Sequence, residues 1–147
     1  MLFFTHLAAA ALLARTSRLS TVWLVVGAAG PDAVDKPLAM AGVFELYHSV
    51  GHSALSLLVF VPVALYGRVG VAAGVGWASH LLLDTVHVVV NGRPGHAFSL
   101  LWPLLESTDP LAIPPGEFVR YYVGTPSFYL EAVVWIALIA VLLTRRR

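Results

Sequence analysis

Apolar residues in this chain come in long runs, and polar residues gather where the runs end. Five helical segments follow from that pattern. The first covers about residues 2–15 and closes on Arg15-Thr16-Ser17-Arg18. The second covers about 19–30 and stops at Gly30-Pro31, because proline disfavours helix for the residue before it. A polar loop, GPDAVDKP, follows. The third covers about 43–66, with Pro62 as a kink point, and Gly67-Arg68 turns the chain. The fourth covers about 69–91, where Gly70, Gly74 and Gly76 favour close helix approach. Residues 92–125 are rich in proline and glycine and are expected to form an extramembrane or interfacial loop. The fifth covers about 127–143 and ends in Thr144-Arg145-Arg146-Arg147.

Composition turns these segments into membrane helices. The chain is 59% hydrophobic and only 12% charged, with a mean hydropathy of +0.82. A soluble domain carries about a quarter charged residues. The expectation is an all-α, polytopic membrane bundle of about five helices, two of them short. A helix of 12–14 residues covers only about 20 Å, against a hydrocarbon core of about 30 Å. The length fits one integral-membrane domain over 1–147. Within it, 1–104 forms the core, 105–125 an outward loop and 126–147 a terminal transmembrane helix with a basic tail. The start, Met1-Leu2-Phe3-Phe4, lacks a basic leader region, so the first segment is expected to be a retained helix rather than a signal peptide. A net charge of +1 gives no case for a nucleic-acid partner. The chain contains no cysteine, which leaves His, Asp and Glu as candidate metal ligands.

Threading five helices alternately across a membrane sorts the charges. Arg15, Arg18, Arg68 and Arg145 to Arg147 fall on one side, with no acid among them. Lys36, Arg93 and Arg120 fall on the other with all eight acids. The positive-inside rule then makes the arginine side cytoplasmic. The expected location is the cell (inner or plasma) membrane, multi-pass, with the C-terminus cytoplasmic and the acidic side outward.

The histidines gather on that acidic side too. His6 starts the first helix, and Asp32 and Asp35 follow the second. His48 and His52 begin the third at an i, i+4 spacing, which puts both rings on one helical face. His80 and Asp84 repeat that spacing in the fourth, with His87 a turn later, and His96 follows in the loop. Ionisable groups beside apolar helices are costly in lipid. Two such pairs plus a carboxylate loop could close a shell around a divalent cation. Mixed imidazole and carboxylate ligation suits Zn, Mn or Fe, and more than four candidates leave room for two metals. Plainer roles stand beside these. His96 reads as a polar tip at headgroup level, and His87 fits either role. Asp32 could be a turn residue, and Asp35-Lys36 a surface pair. Ser53 and Ser79 suit helix packing or donation to the ligands from behind.

Thr5-His6, PDAVDKP at 31–37, HSVGHS at 48–53, SHLLLD at 79–84 and the WP pair at Trp102-Pro103 occur in a characteristic order. In this the chain resembles a family of small inner-membrane metal-dependent hydrolases under SOS (LexA-type) control. The resemblance covers about residues 5–104. It implies metal-site roles for His6, Asp32, His52, His80 and Asp84. The chain departs from the family pattern at Asp35 and Lys36, where the second acid comes later and the following histidine is missing. It also departs in the spacing of His48 from His52, which suggests a divergent branch. The family's likeness to helical zinc-dependent phospholipases C implies phosphoester chemistry by analogy.

The expectation for function is a membrane-embedded metal-dependent hydrolase, most simply Zn-dependent, acting on a phosphoester or lipid-linked substrate. His6, Asp32, His48, His52, His80 and Asp84 are its candidate metal ligands. Asp35 or Asp32 is its candidate general base, and Glu45 a weaker one. Lys36 and Arg93 are candidates for holding a phosphate. Partners are the bilayer and a lipid or phosphoester substrate. Two alternatives use the same residues: a metal-ion or proton transporter, and a non-catalytic membrane protein stabilised by a metal.

Overall fold

The computed structural model describes residues 1–108, 111 and 113–144, and among them the chain is helical, with no strand. Six α-helices are present: α1 (Phe3–Thr16), α2 (Thr21–Met40), α3 (Phe60–Ala64), α4 (Arg68–Val90), α5 (Pro115–Tyr122) and α6 (Pro126–Thr144). Two 3₁₀ helices, Ala54–Val59 and Pro94–Leu101, precede α3 and follow α4. Helices α1, α4 and α6 fall within a residue of the limits that the apolar pattern predicts. Asp109 and Arg145 to Arg147, which entered the charge sorting, lie outside the described residues.

Three expectations fail. Helix α2 does not stop at Pro31 but runs through Pro31 and Pro37 to Met40. Pro31 has no N–H to give the Gly27 carbonyl, and one residue on, the Ala28 carbonyl accepts from the His80 ring instead. The contact with His80 is one of those that hold the helix through the missing donor. The third predicted helix is also absent over 41–53, where the chain forms turns and bends before Ala54. His48 and His52 therefore do not share a helical face. Lastly, the segment 92–125 is not loop throughout, since it carries the second 3₁₀ helix and α5.

Helix α2 packs against both α1 and α4, and small residues set how closely they approach. Ala10, Leu24, Ala28 and Ala72 form the dry centre of that packing. A Cβ at Gly27 would run into the Ala73 carbonyl, and one at Gly76 into the Leu24 carbonyl. Close contact of this kind is how apolar helices associate when no water is displaced. The Arg68 guanidinium donates to the Arg18 carbonyl, so the end of α1 meets the start of α4. The other end of the three helices carries His6, Asp32 and Asp84.

Helix α6 runs beside α1. The Trp135 indole donates to Thr5 Oγ1 at 3.1 Å, and the Leu2 amide donates to Glu131 Oε1 at 2.5 Å. Helices α4 and α6, of 23 and 19 residues, are long and apolar enough to cross a membrane. Val133, Ile136, Ile139 and Leu143 of α6 all face outward, each more than half exposed.

Candidate metal centre

The centre is assembled from three helices and the irregular stretch 41–53. Asp35, fully buried on α2, organises that stretch. Its Oδ2 accepts from the amides of Ser49 (2.7 Å) and His52 (3.1 Å), and its Oδ1 accepts from that of Gly51 (2.7 Å). A Cβ on Gly51 would lie 2.7 Å from the Pro31 carbonyl oxygen, so only glycine lets the loop sit this close to α2. The Trp77 indole caps the arrangement by donating to the Gly51 carbonyl at 3.0 Å. The backbone amides that a helix would have paired internally are spent on one carboxylate. That is why 41–53 is not helical.

The same carboxylate fixes a ring. His52 Nδ1 donates to Asp35 Oδ2 at 2.8 Å. On α4, His80 Nδ1 donates to the Ala28 carbonyl at 2.7 Å. Both rings are thereby turned so that Nε2 faces inward, the arrangement by which metal-binding histidines are usually oriented. The two Nε2 atoms stand 3.2 Å apart. Asp84 Oδ2 lies 3.2 Å from His80 Nε2 and 3.4 Å from His52 Nε2. Asp32 Oδ1 lies 3.4 Å from His52 Nε2 and 3.9 Å from His80 Nε2. Ligands of a tetrahedral ion with bonds of 2.0–2.1 Å are about 3.3 Å apart. The spacing of these atoms fits such an ion.

His6 and His48 flank this triangle. His6 Nε2 is 3.1 Å from Asp84 Oδ1, and its ring stacks on His80 with centroids 3.8 Å apart. His6 is 1% exposed, yet neither ring nitrogen makes a hydrogen bond. A buried polar atom without a partner is costly, and a cation is a partner of the right kind for an imidazole nitrogen. The amino group of Met1 lies 3.0 Å from Asp84 Oδ1, so positive charge already gathers at that oxygen. His48 Nε2 is 3.7 Å from Asp84 Oδ2. Three overlapping sets have ligand atoms within 4.8 Å of one another: His6, His80 and Asp84; Asp32, His52 and His80; and His48, His52 and Asp84. These His/Asp groups could hold a metal ion.

Charge accounts for the gathering. Burial alone would lower the His52 pKa. Hydrogen bonding to Asp32, Asp35 and Asp84 outweighs it and pushes the ring up to about 10. Burial and the charge on His52 push the neighbouring His48 the other way. The point where His52 Nε2 meets Asp32 and Asp84 therefore attracts a positive charge, a proton or a metal ion.

Asp32, His48, His52 and Asp84 of the cluster line a cavity of about 300 Å³. Phe3, Phe4, Leu100, Leu111, Ile113 and Phe118 wall it, while Lys36 and Arg93 line it on the polar side. Lys36 pairs with Asp32 at 2.9 Å, not with Asp35 as the adjacent numbering suggested.

The six candidate ligands thus come together, whereas Asp35, expected as a base, stands behind them. Both its oxygens are taken and it does not line the cavity. His96 is not a polar tip: it is 6% exposed, with Nδ1 2.8 Å from Ser107 Oγ and Nε2 3.4 Å from His48 Nδ1. His87 lies apart, 2.7 Å from Ser127 Oγ, on the cavity wall. Ser53 donates to the Trp102 carbonyl at 2.5 Å and accepts from the Leu55 amide at 3.2 Å. Ser79 donates to the Gly76 carbonyl at 2.7 Å. Both serines are structural. The orienting parts of Asp35 and the Ala28 carbonyl had no signal in the sequence, because each depends on a fold contact rather than a local spacing. No protein-family model, curated protein or solved structure matches the chain.

Proposed function

We propose that the chain is a multi-pass membrane hydrolase that depends on a divalent metal, most simply Zn, and acts on a lipid-linked phosphoester. The observation that carries this reading is the inward convergence of His52 Nε2, His80 Nε2 and Asp84 Oδ2, each 3.2–3.4 Å from the others, with His52 and Asp84 lining a largely apolar cavity. His52, His80 and Asp84 would hold the ion, with Asp32, His6 and His48 in reach. A bound divalent cation acidifies water and polarises a phosphoryl oxygen.

The chain's own groups supply the rest. Lys36 and Arg93 would meet an anionic headgroup, and the phenylalanine and leucine walls would seat an apolar chain. Asp32, at the cavity and beside Lys36, is positioned to take a proton. Asp35 keeps His52 in one tautomer. The outward apolar face of α6 suits lipid better than water, and α4 and α6 are the helices long enough to cross. The neighbouring Arg18 and Arg68 suit a cytoplasmic end, and on that reading the cluster would face outward. The resemblance to SOS-regulated inner-membrane hydrolases favours the same reading.

The test is turnover of a panel of lipid phosphoesters by purified protein in detergent, with and without added Zn. Metal-dependent release of phosphate or headgroup is expected, lost in Asp84→Ala. Metal bound without turnover would favour the stabilised, non-catalytic alternative. Metal flux in proteoliposomes would favour the transporter.

A further inference from the structure

Resting on the metal reading above, one feature of the cluster goes further. The six ligand residues exceed what one four-coordinate ion can use. An ion on His52 Nε2, His80 Nε2, Asp84 Oδ2 and Asp32 would leave the buried His6 ring outside the shell, its Nε2 3.1 Å from Asp84 Oδ1 and neither nitrogen hydrogen-bonded. The geometry points to a different partition. Through Nε2, a neutral imidazole has one lone pair and serves one ion, whereas a carboxylate has two oxygens and can serve two. The set Asp32, His52, His80 needs Nε2 of both histidines, so it competes with each of the other two sets. The remaining sets, His6 with His80 and Asp84, and His48 with His52 and Asp84, share only Asp84. Asp84 reaches both sets: Oδ1 faces His6 at 3.1 Å, while Oδ2 faces His80 at 3.2 Å, His52 at 3.4 Å and His48 at 3.7 Å.

We propose that the cluster holds a pair of divalent cations bridged by Asp84, one on His6 and His80, the other on His48 and His52. Asp32, 3.4 Å from His52 Nε2 and 3.9 Å from His80 Nε2, lies between the two. Each ion then has two imidazoles and a carboxylate oxygen. The partition gives His6 Nε2 and His48 roles that one ion on the central triangle would not. Paired ions about 3.5–4 Å apart clamp the attacking and leaving oxygens of a phosphoester, the chemistry proposed for this cavity.

The experiment loads the full chain in detergent with Zn²⁺, dialyses it against metal-free buffer and counts bound metal by mass spectrometry. About two ions per chain are expected in the unaltered protein, as in two-metal sites generally. His6→Ala and His48→Ala should each retain about one, and the double variant none. A count of about one in the unaltered protein, kept in both single variants, would overturn the paired site and leave the hydrolase reading standing. A count of none would overturn both. A second readout needs no variant. Mn²⁺-loaded protein should give the electron-spin resonance of an exchange-coupled pair, and an isolated-ion spectrum at saturation would sink the proposal.

Discussion

At the scale of single residues, Asp35 decides more than any ligand. It is fully buried and accepts from three amides and one ring. Asp35→Asn keeps the shape, loses the charge and turns a donor toward donors. Outer partners of metal-bound histidines are worth about 10–100-fold in affinity. A chelator-competition titration of Asp35→Asn should show a Zn affinity lower by about that factor. Asp35→Ala strands the loop amides and the His52 ring, which should cost about 3–5 kcal/mol of folding stability. Thermal unfolding of the metal-free variant would check it. The raised pKa of His52 gives a second expectation. Its stabilising contribution to the metal-free protein is fully present below 6.5, the unfolded value, and is lost as pH rises through about 10. A metal ion replaces the proton on Nε2, so binding below pH 10 releases protons and tightens as pH rises. Calorimetry in buffers of different ionisation enthalpy reads that release, and pH-independent affinity would contradict it. The clustered histidines and aspartates were legible as candidates because such residues are rare in apolar runs. Asp35 looked like a base because nothing in the sequence shows that loop 41–53 folds back on it.

At the scale of elements, the helix pair α2 and α4 positions everything else. Gly27 and Gly76 each sit where a side chain would strike a carbonyl of the facing helix. Gly27→Val forces the pair apart and moves Asp32 away from His80. Overpacking of this kind costs about 1–3 kcal/mol or more, with loss of bound metal as the second effect. Thermal denaturation in detergent and a metal count on the folded fraction would measure the two. The ends of α1, α4 and α6 were readable because apolar runs bounded by glycine, proline or arginine leave little choice. The course of α2 was not, since a proline rule is a local preference and packing between α1 and α4 outweighs it. The helical reading of 41–53 failed because an i, i+4 histidine spacing carries no knowledge of a buried acceptor on another helix. His48 and His52 meet all the same, with ring centroids 4.3 Å apart, by a turn rather than a face.

At the scale of the whole molecule, the membrane reading makes a sidedness prediction. The chain has no cysteine, so single labels can be placed without background. Tyr66, 89% exposed, lies two residues before Arg68 and the start of α4, and Leu104, 73% exposed, follows the second 3₁₀ helix on the cluster side. In intact cells, an impermeant maleimide should label Leu104→Cys directly and Tyr66→Cys only after the membrane is opened. The reverse pattern would invert the topology, and equal labelling of both would remove the membrane. The all-helical class was plain from composition. The fastening of α6 to α1 at Thr5 and Trp135 was not, because it joins positions far apart in the chain. One feature of the cluster also bears on how the protein is made. Its residues run from position 6 to position 84, so a nascent chain leaving the ribosome carries the first imidazole long before the last carboxylate exists. An ion held by these residues would therefore bind late in biogenesis and would clasp the chain from His6 to Asp84, a long closure of the kind that gains most from being pinned.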